Sequence, residues 1–170
     1  MDYAWKESVW RQFGAAIDML DNAIMACPEA LWADRSRQPQ FWYLAYHTLF
    51  FLDYYSSGSS RGFTPPAPFT LGELDPAGVM PERVYTREEL KRYLEHGRTQ
   101  AAAEIAALTS ARARKRCAFE RPDLTVGDLV LYNLRHVQHH AAQLNLILRQ
   151  VTDAAPGWVS KTSRALAPGE

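Results

Sequence analysis

The feature that most constrains the fold is the stretch over residues 41–55, FWYLAYHTLFFLDYY, in which eight of the fifteen residues are Phe, Trp or Tyr. A helix with this sequence is apolar on nearly all of its faces, which is typical of a helix that is buried on most sides. Its apolar run of about twelve residues is too short to cross a lipid bilayer. The stretch therefore predicts a central helix whose aromatic side chains form core, rather than a surface on which a nucleobase or cofactor stacks.

Three further segments carry the three- and four-residue spacing of amphipathic helices, and they cover residues 3–26, 86–110 and 125–151. Thr86 begins the second of these with a capping-box pattern, and Thr125 is a good N-cap for the third. No segment shows the two-residue alternation and hairpin turns of a β-sheet. The sequence therefore predicts an all-α fold, a four-helix bundle that forms a single domain over residues 1–170.

A long, proline-rich link over residues 56–85 joins the second and third predicted helices. A link of this length is unusual inside a compact domain, and such links are often lids or crossovers. A crossover would let the two helices that it joins run parallel instead of forming a tight hairpin. After the last helix, residues 153–170 form a tail, and we expect Trp158 and Val159 to anchor it, because a tail without a docking role seldom carries tryptophan.

Composition narrows the classes of function. Lysine plus arginine number 19, as do aspartate plus glutamate, so the chain lacks the concentrated positive field that tight nucleic-acid binding needs. Cys27 and Cys117 form no CxxC pattern, which argues against a thiolate zinc site or a disulfide framework and fits a reducing compartment. The N-terminus has no secretory-signal pattern. These features predict a cytoplasmic protein without a membrane or nucleic-acid partner.

Three of the five histidines lie within five residues of the last predicted helix. With His136 placed at zero on a helical wheel, His140 falls at about 40° and His139 at about −60°. Most apolar residues of this helix, among them Val137, Ala141 and Leu144, occupy the arc from about 20° to about 160°. His140 therefore points to the core, His136 lies at its edge and His139 falls on the polar side. Two imidazoles one turn apart on one face can bind one metal ion.

His47 is the expected third ligand, because it is the one ionisable residue in the apolar run over residues 41–52. Burying an unpaired polar group costs roughly a few kcal/mol, and a shared cation would give all three rings a partner. Three imidazoles leave coordination positions open, which is typical of a catalytic or ligand-binding metal. Nitrogen ligands favour zinc or nickel, with iron or manganese as the other candidates.

Other polar residues have competing interpretations. Gln143 lies within a turn of His140 and could orient a bound ligand or water, or it could simply be a polar residue at the edge of the bundle. Asp53 lies about 120° from His47 around the helix, which makes it a poor fourth ligand and favours a surface or helix-pairing role. We expect His96, in the polar stretch EHGRTQ, to be exposed. A metal-free bundle with hydrogen-bonded histidines is a further alternative.

The aromatic helix with its histidine, WYLAYHTLFFLDYY, and the later segment HVQHHAAQ together resemble the DinB-like superfamily of bacterial four-helix proteins. The late motif of that family reads H-x-x-x-H-R-G-Q. His136, His140 and Gln143 match it, whereas Ala141 and Ala142 replace the arginine and the glycine. The resemblance extends over nearly the whole chain through the order of the helices and the long link.

The resemblance implies an up-up-down-down bundle, often a homodimer, with a divalent metal on His47, His136 and His140. Members with known activity include thiol S-transferases and a mycothiol-dependent maleylpyruvate isomerase, which use low-molecular-weight thiols. One hypothesis is therefore a metal-dependent enzyme that activates a thiol or water. The other is a non-catalytic metal-binding or dimerisation protein of a stress response. An open pocket beside the histidines would favour the enzyme, and a metal sealed by the tail around Trp158 would favour the second hypothesis.

Overall fold

The computed structural model describes residues 2–119 and 123–166, and helices dominate this part of the chain. The α-helices are α1 (Tyr3–Ala26), α2 (Glu29–Trp32), α3 (Phe41–Ser56), α4 (Arg87–Ala106), α5 (Ser110–Ala113) and α6 (Val126–Thr152), with a 3-10 helix at Leu71–Leu74. Within the described ranges, β-structure is limited to isolated bridges. The prediction of an all-α bundle is confirmed.

The helix ends follow the predicted capping signals with one exception. The capping boxes of Thr86 with Glu89 and of Thr125 with Asp128 are both formed. The helix predicted to reach residue 110, however, ends at Ala106. The side chain of Thr109 accepts a hydrogen bond from the backbone N–H at residue 112 and begins α5 as a separate turn. A hydroxyl that caps a new helix here offers the backbone an alternative to continuing α4.

The four long helices form a ring in which α1 and α3 each pack against both α4 and α6. α1 and α4 are antiparallel. Lys6, at the start of α1, donates a hydrogen bond to the carbonyl of Ala106 at the end of α4 (2.6 Å). Arg87, at the start of α4, donates to the carbonyl of Cys27 just beyond α1 (2.7 Å). The two ends of this helix pair are therefore tied by side chains that satisfy terminal carbonyls.

α3 and α4 run parallel. Trp42 near the start of α3 meets the ring of Tyr85, just before α4, at 6.0 Å between centroids. Further along both helices, Leu52 packs against Gly97, where an added Cβ would lie 2.9 Å from the leucine Cδ2. The glycine thus lets the two helices approach closely. The parallel pair is the arrangement that a crossover of this length predicts.

α6 runs antiparallel to α3. Asn133 on α6 donates to the carbonyl of Leu52 near the end of α3 (3.0 Å). Two turns later on α6, the ring of His140 meets His47 in the first half of α3, with 5.0 Å between centroids. These contacts fix the register in which α6 lies along the central helix.

The resulting order of directions is up-down-down-up, so the expected up-up-down-down order is wrong. The connection between α1 and α3, residues 27–40, reverses the chain. The link over residues 57–86 then carries the chain back to the end of the bundle at which α3 began. The second connection is the longer of the two, and it is the one that joins parallel helices.

The aromatic helix α3 is the centre of the core, as predicted. Its side chains at Phe41, Tyr46, Leu49 and Phe50 are fully buried. The crossover adds Phe69, which stacks on Tyr93 of α4 at 4.2 Å between ring centroids. The link is therefore packed onto the bundle. None of the helices in the described residues combines the length and apolarity that crossing a lipid bilayer requires.

The tail docks along α1, but Trp158 is not its anchor. Trp158 is 72% exposed, which contradicts the prediction, whereas Val159 packs partly buried against the core. Thr162 and Leu166 are the buried anchors among the described tail residues, and the backbone N–H of Thr162 donates to the carbonyl of Arg11 (3.0 Å). An added Cβ at Gly14 would lie 2.4 Å from the threonine methyl, so only glycine leaves room for this contact. Residues 167–170 of the predicted tail lie outside the described residues.

Candidate metal centre

The structure brings the three predicted histidines together. His47 comes from α3, and His136 and His140 come from successive turns of α6. Each can offer one ring nitrogen such that the three nitrogens all lie within 4.8 Å of one another. The ring centroids are 5.6 Å (47 to 136), 5.0 Å (47 to 140) and 4.5 Å (136 to 140) apart. This spacing makes the three imidazoles candidate ligands of one cation.

The antiparallel packing of α3 and α6 positions these rings. Val137 and Ala141 on α6 are fully buried and turn the flanking histidines toward α3. Asn133, one turn before His136, also donates to the hydroxyl of Ser56 at the end of α3 (3.1 Å). The i, i+4 spacing then places His136 and His140 on the same face, one above the other.

Two of the three imidazoles are held through their Nδ1 atoms. The Nδ1 of His47 lies 2.7 Å from Oε2 of Glu73, and the Nδ1 of His140 lies 2.7 Å from Oε1 of Gln143. A carboxylate and an amide carbonyl oxygen can only accept, so each Nδ1 carries the hydrogen and donates it. The neutral form of each ring then has its lone pair on Nε2, the atom that remains for a ligand.

His136 differs from the other two. Its Nδ1 is buried and has no hydrogen-bond partner among the described residues. Burial, together with the neighbouring histidines, lowers the pKa of His136 to about 3, and burial lowers the pKa of His140 to about 4. Both rings are therefore neutral at pH 7 and have lone pairs to donate. A buried ring nitrogen without a partner, beside two oriented imidazoles, fits a site for a divalent cation.

Gln143 contacts the site through His140 rather than from an open position, because its amide oxygen is bonded to that ring. His139 is exposed as expected, and its ring lies 5.0 Å from that of His140. His96 is only half-exposed and its Nε2 lies 3.1 Å from Oδ1 of Asp53, so the expectation that it is simply exposed is wrong. Asp53 is buried and joins α3 to α4, which confirms its helix-pairing role.

Glu73 is a residue of the site that sequence reasoning missed. It lies in the 3-10 helix of the crossover, and its side chain is only 2% exposed although it carries a carboxylate. Burial and the Glu73 carboxylate together raise the pKa of Tyr43 to about 12, so this tyrosine stays protonated beside the acid. The sequence contains only indirect signs of this role for Glu73. They are the length of the link and the prediction that the buried His47 needs a partner.

The histidine cluster remains accessible beside an aromatic wall. Phe51 lies 4.9 Å from the His47 ring and 5.6 Å from the His136 ring. A groove of about 460 Å³ borders His136 and runs along the surface of α6 past Tyr132 and Arg135. The side chain of His47 is 28% exposed. A groove of this size at the edge of the cluster can admit a small organic molecule.

The tail does not seal this site. Trp158 lines a separate groove with Met19, Leu146 and Arg149, and none of the described ring contacts joins it to a histidine. The groove beside His136 is therefore not covered by the part of the tail around Trp158.

An all-helical bundle with three imidazoles converging from two helices defines a class of metal-binding α-helical domain. The family model described as the DinB superfamily matches residues 12–144, which include all three histidines. The chain belongs to the DinB superfamily, and the resemblance seen in the sequence is confirmed. Comparison with the curated proteins and with the solved structures found no match.

Proposed function

We propose that this protein is a metal-dependent enzyme in which His47, His136 and His140 bind one divalent cation. Zinc or nickel suits the nitrogen donors best, with iron or manganese as the other candidates. The observation that carries the proposal is the convergence of three ring nitrogens within 4.8 Å of one another, beside an accessible groove. Three protein ligands leave coordination positions for a substrate.

The chemistry that such a cation supplies when bound is a lowered pKa for a coordinated thiol or water, which gives a nucleophile near neutral pH. The protein contributes geometry. Glu73 and Gln143 orient two of the rings, and Phe51 shields one side of the cluster from water. With a low-molecular-weight thiol, the sulfur would bond to an electrophilic carbon and displace a leaving group with its electron pair, as in a thiol S-transferase. With water, the same attack would be a hydrolysis.

A second candidate function is a non-catalytic metal-binding protein that dimerises in a bacterial stress response. The observation in its favour is a set of exposed apolar side chains on and beside α6, which a second copy of the chain could cover. They are Leu146 (55% exposed) and Trp158 (72% exposed), which line the same groove. For either function we propose a cytoplasmic homodimer without a nucleic-acid partner, in line with the zero net charge.

Elemental analysis of protein purified without a histidine tag tests the metal site. We expect about one transition-metal ion per chain in the parent and loss of the ion in His136→Ala and His140→Ala. His139→Ala is the matched control, because this exposed ring lies on the same helix and should leave the metal content unchanged. Metal content far below one ion per chain in the parent would favour the metal-free bundle.

A screen of low-molecular-weight thiols against electrophiles then separates the two candidate functions. We expect thiol-dependent turnover that disappears on chelation and in His136→Ala but persists in His96→Ala, because His96 pairs with Asp53 away from the groove. A fully loaded protein that turns over no thiol or hydrolytic substrate, and that dissociates into monomers when Leu146 is changed to Glu, would favour the dimerisation module.

A further inference from the structure

The crossover reaches the histidine cluster through one side chain, Glu73. Its Oε2 lies 2.7 Å from Nδ1 of His47, and its side chain is almost completely buried. The carboxylate comes from a segment between the bundle helices, whereas the ligand candidates come from α3 and α6. This single hydrogen bond therefore joins the crossover to the site.

The segment that presents Glu73 is itself held in place. The Thr70 side chain caps the 3-10 helix by accepting from the N–H of Gly72 (3.4 Å). The hydroxyl of Tyr46, one residue before His47, donates to the carbonyl of Thr70 (3.4 Å). Phe69 stacks on the core at Tyr93. The residues just before the carboxylate thus attach the turn to α3 through Tyr46 and to α4 through Tyr93, which gives Glu73 a fixed position.

The chemistry of the pair sets the state of His47. A carboxylate accepts the Nδ1–H and cannot donate, so of the two neutral tautomers it favours the one whose lone pair is on Nε2. It also makes the ring a stronger donor to a cation and fixes the ring's rotation. Gln143 provides the same orientation for His140, but without a negative charge.

We propose that Glu73 is a positioning residue for His47, and that through it metal binding and the packing of the crossover onto the bundle stabilise each other. The proposal rests on the metal site proposed above. Coupling free energies are reciprocal. If the docked carboxylate increases the affinity for the metal, then bound metal stabilises the docked position of the crossover by the same free energy.

Three measurements on wild type, Glu73→Gln and Glu73→Ala test this inference. In metal-free protein, nitrogen NMR of the imidazoles should show His47 with its hydrogen on Nδ1 in wild type and a mixture of tautomers in Glu73→Ala. Zinc titration against a chelator should show about 10- to 100-fold weaker binding in Glu73→Ala. Glu73→Gln retains an acceptor and should lose less. Limited proteolysis within residues 57–86 should be slowed by zinc in wild type but not in Glu73→Ala.

Glu82→Gln is the matched control, because it removes an exposed carboxylate from the same link. It should leave the tautomer, the zinc affinity and the zinc protection unchanged. Zinc binding by Glu73→Ala within twofold of wild type, with His47 in an unchanged tautomer, would overturn the inference and leave the metal site standing. Absence of zinc binding in wild type would instead refute the proposed function, and the tautomer of metal-free His47 would still report whether Glu73 positions the ring.

Discussion

On each of two sides of α3 a histidine is paired with a buried carboxylate, yet only one of these sides resembles a metal site. Toward α6, Nδ1 of His47 pairs with Glu73, and the His47 ring belongs to a group of three imidazoles that could hold one ion. Toward α4, Asp53 lies 3.1 Å from Nε2 of His96. Among the described residues, His96 belongs to no group of ligands that could hold a metal. A histidine–carboxylate pair by itself therefore does not indicate a metal site. Several imidazoles that converge with unused lone pairs do indicate one.

The largest expected difference between the α6 side and the α4 side of α3 is in how much zinc raises the free energy of unfolding. With free zinc at about 100 times its dissociation constant, binding adds about 2.7 kcal/mol to the free energy of unfolding. We expect chemical denaturation to show this increment in the parent and in His96→Ala, and to show none in His136→Ala. Equal loss of the increment in both variants would mean that the α4 side also supports the metal.

A smaller effect should follow from Gly97→Ala, which acts only on the α4 side. The new methyl would lie 2.9 Å from Cδ2 of the fully buried Leu52, and such overpacking costs about 1–3 kcal/mol. The better helix propensity of alanine offsets about 1 kcal/mol of this. Urea denaturation should therefore show a net loss of about 1 kcal/mol, with zinc affinity unchanged.

The double variant Gly97→Ala/Leu52→Ala serves as the control for this prediction. Removing the leucine side chain makes room for the methyl, so the glycine substitution should no longer destabilise the protein in that background. A zinc affinity that falls in Gly97→Ala alone would show that the two sides of α3 are mechanically coupled.

The smallest expected effect is a pH dependence at Asp53. Burial raises the pKa of this carboxyl, and the opposing attraction of His96 is weaker. A group whose pKa is raised on folding favours the folded state when it is protonated, and that contribution is lost as pH rises through the folded-state pKa. Asp53→Asn cannot ionise, so we expect it to be more stable than the parent at pH 7.

The gain from Asp53→Asn should shrink toward zero below about pH 4, where the parent carboxyl is protonated in both the folded and unfolded states. Unfolding free energies of the two proteins at pH 3.5 and pH 7 check this. A variant that is less stable than the parent at pH 7 would show that the ion pair with His96 outweighs the burial of Asp53.

The helices, and the placement of His136 and His140 on one face, could be predicted because both depend on residues that are close together in the sequence. Apolar spacing and the capping residues Thr86 and Thr125 indicate where helices begin, and the wheel places His136 and His140 on one face. The end of α4 at Ala106 escaped prediction because Thr109 can either continue one helix or cap the next, and the spacing of apolar residues is the same in both cases.

Features that depend on distant contacts were harder to anticipate. Glu73 is one of several acidic residues in an irregular link, and nothing in its neighbourhood predicts that its side chain is buried. The prediction that Trp158 anchors the tail was wrong, because the size of a side chain alone does not decide which tail residue docks. Thr162 packs against Gly14 instead, because its side chain is small and glycine has no Cβ to block a close approach to the backbone of α1.

The amino-acid sequence by itself determined the helical class, the central place of the aromatic helix and the three imidazoles that could share an ion, because periodicity and side-chain chemistry act over a few residues. The directions of the helices, the carboxylate behind His47 and the docking of the tail along α1 were decided only by the tertiary structure. These depend on which surfaces meet when the crossover closes, and packing between segments that are far apart in the chain leaves no local pattern to read.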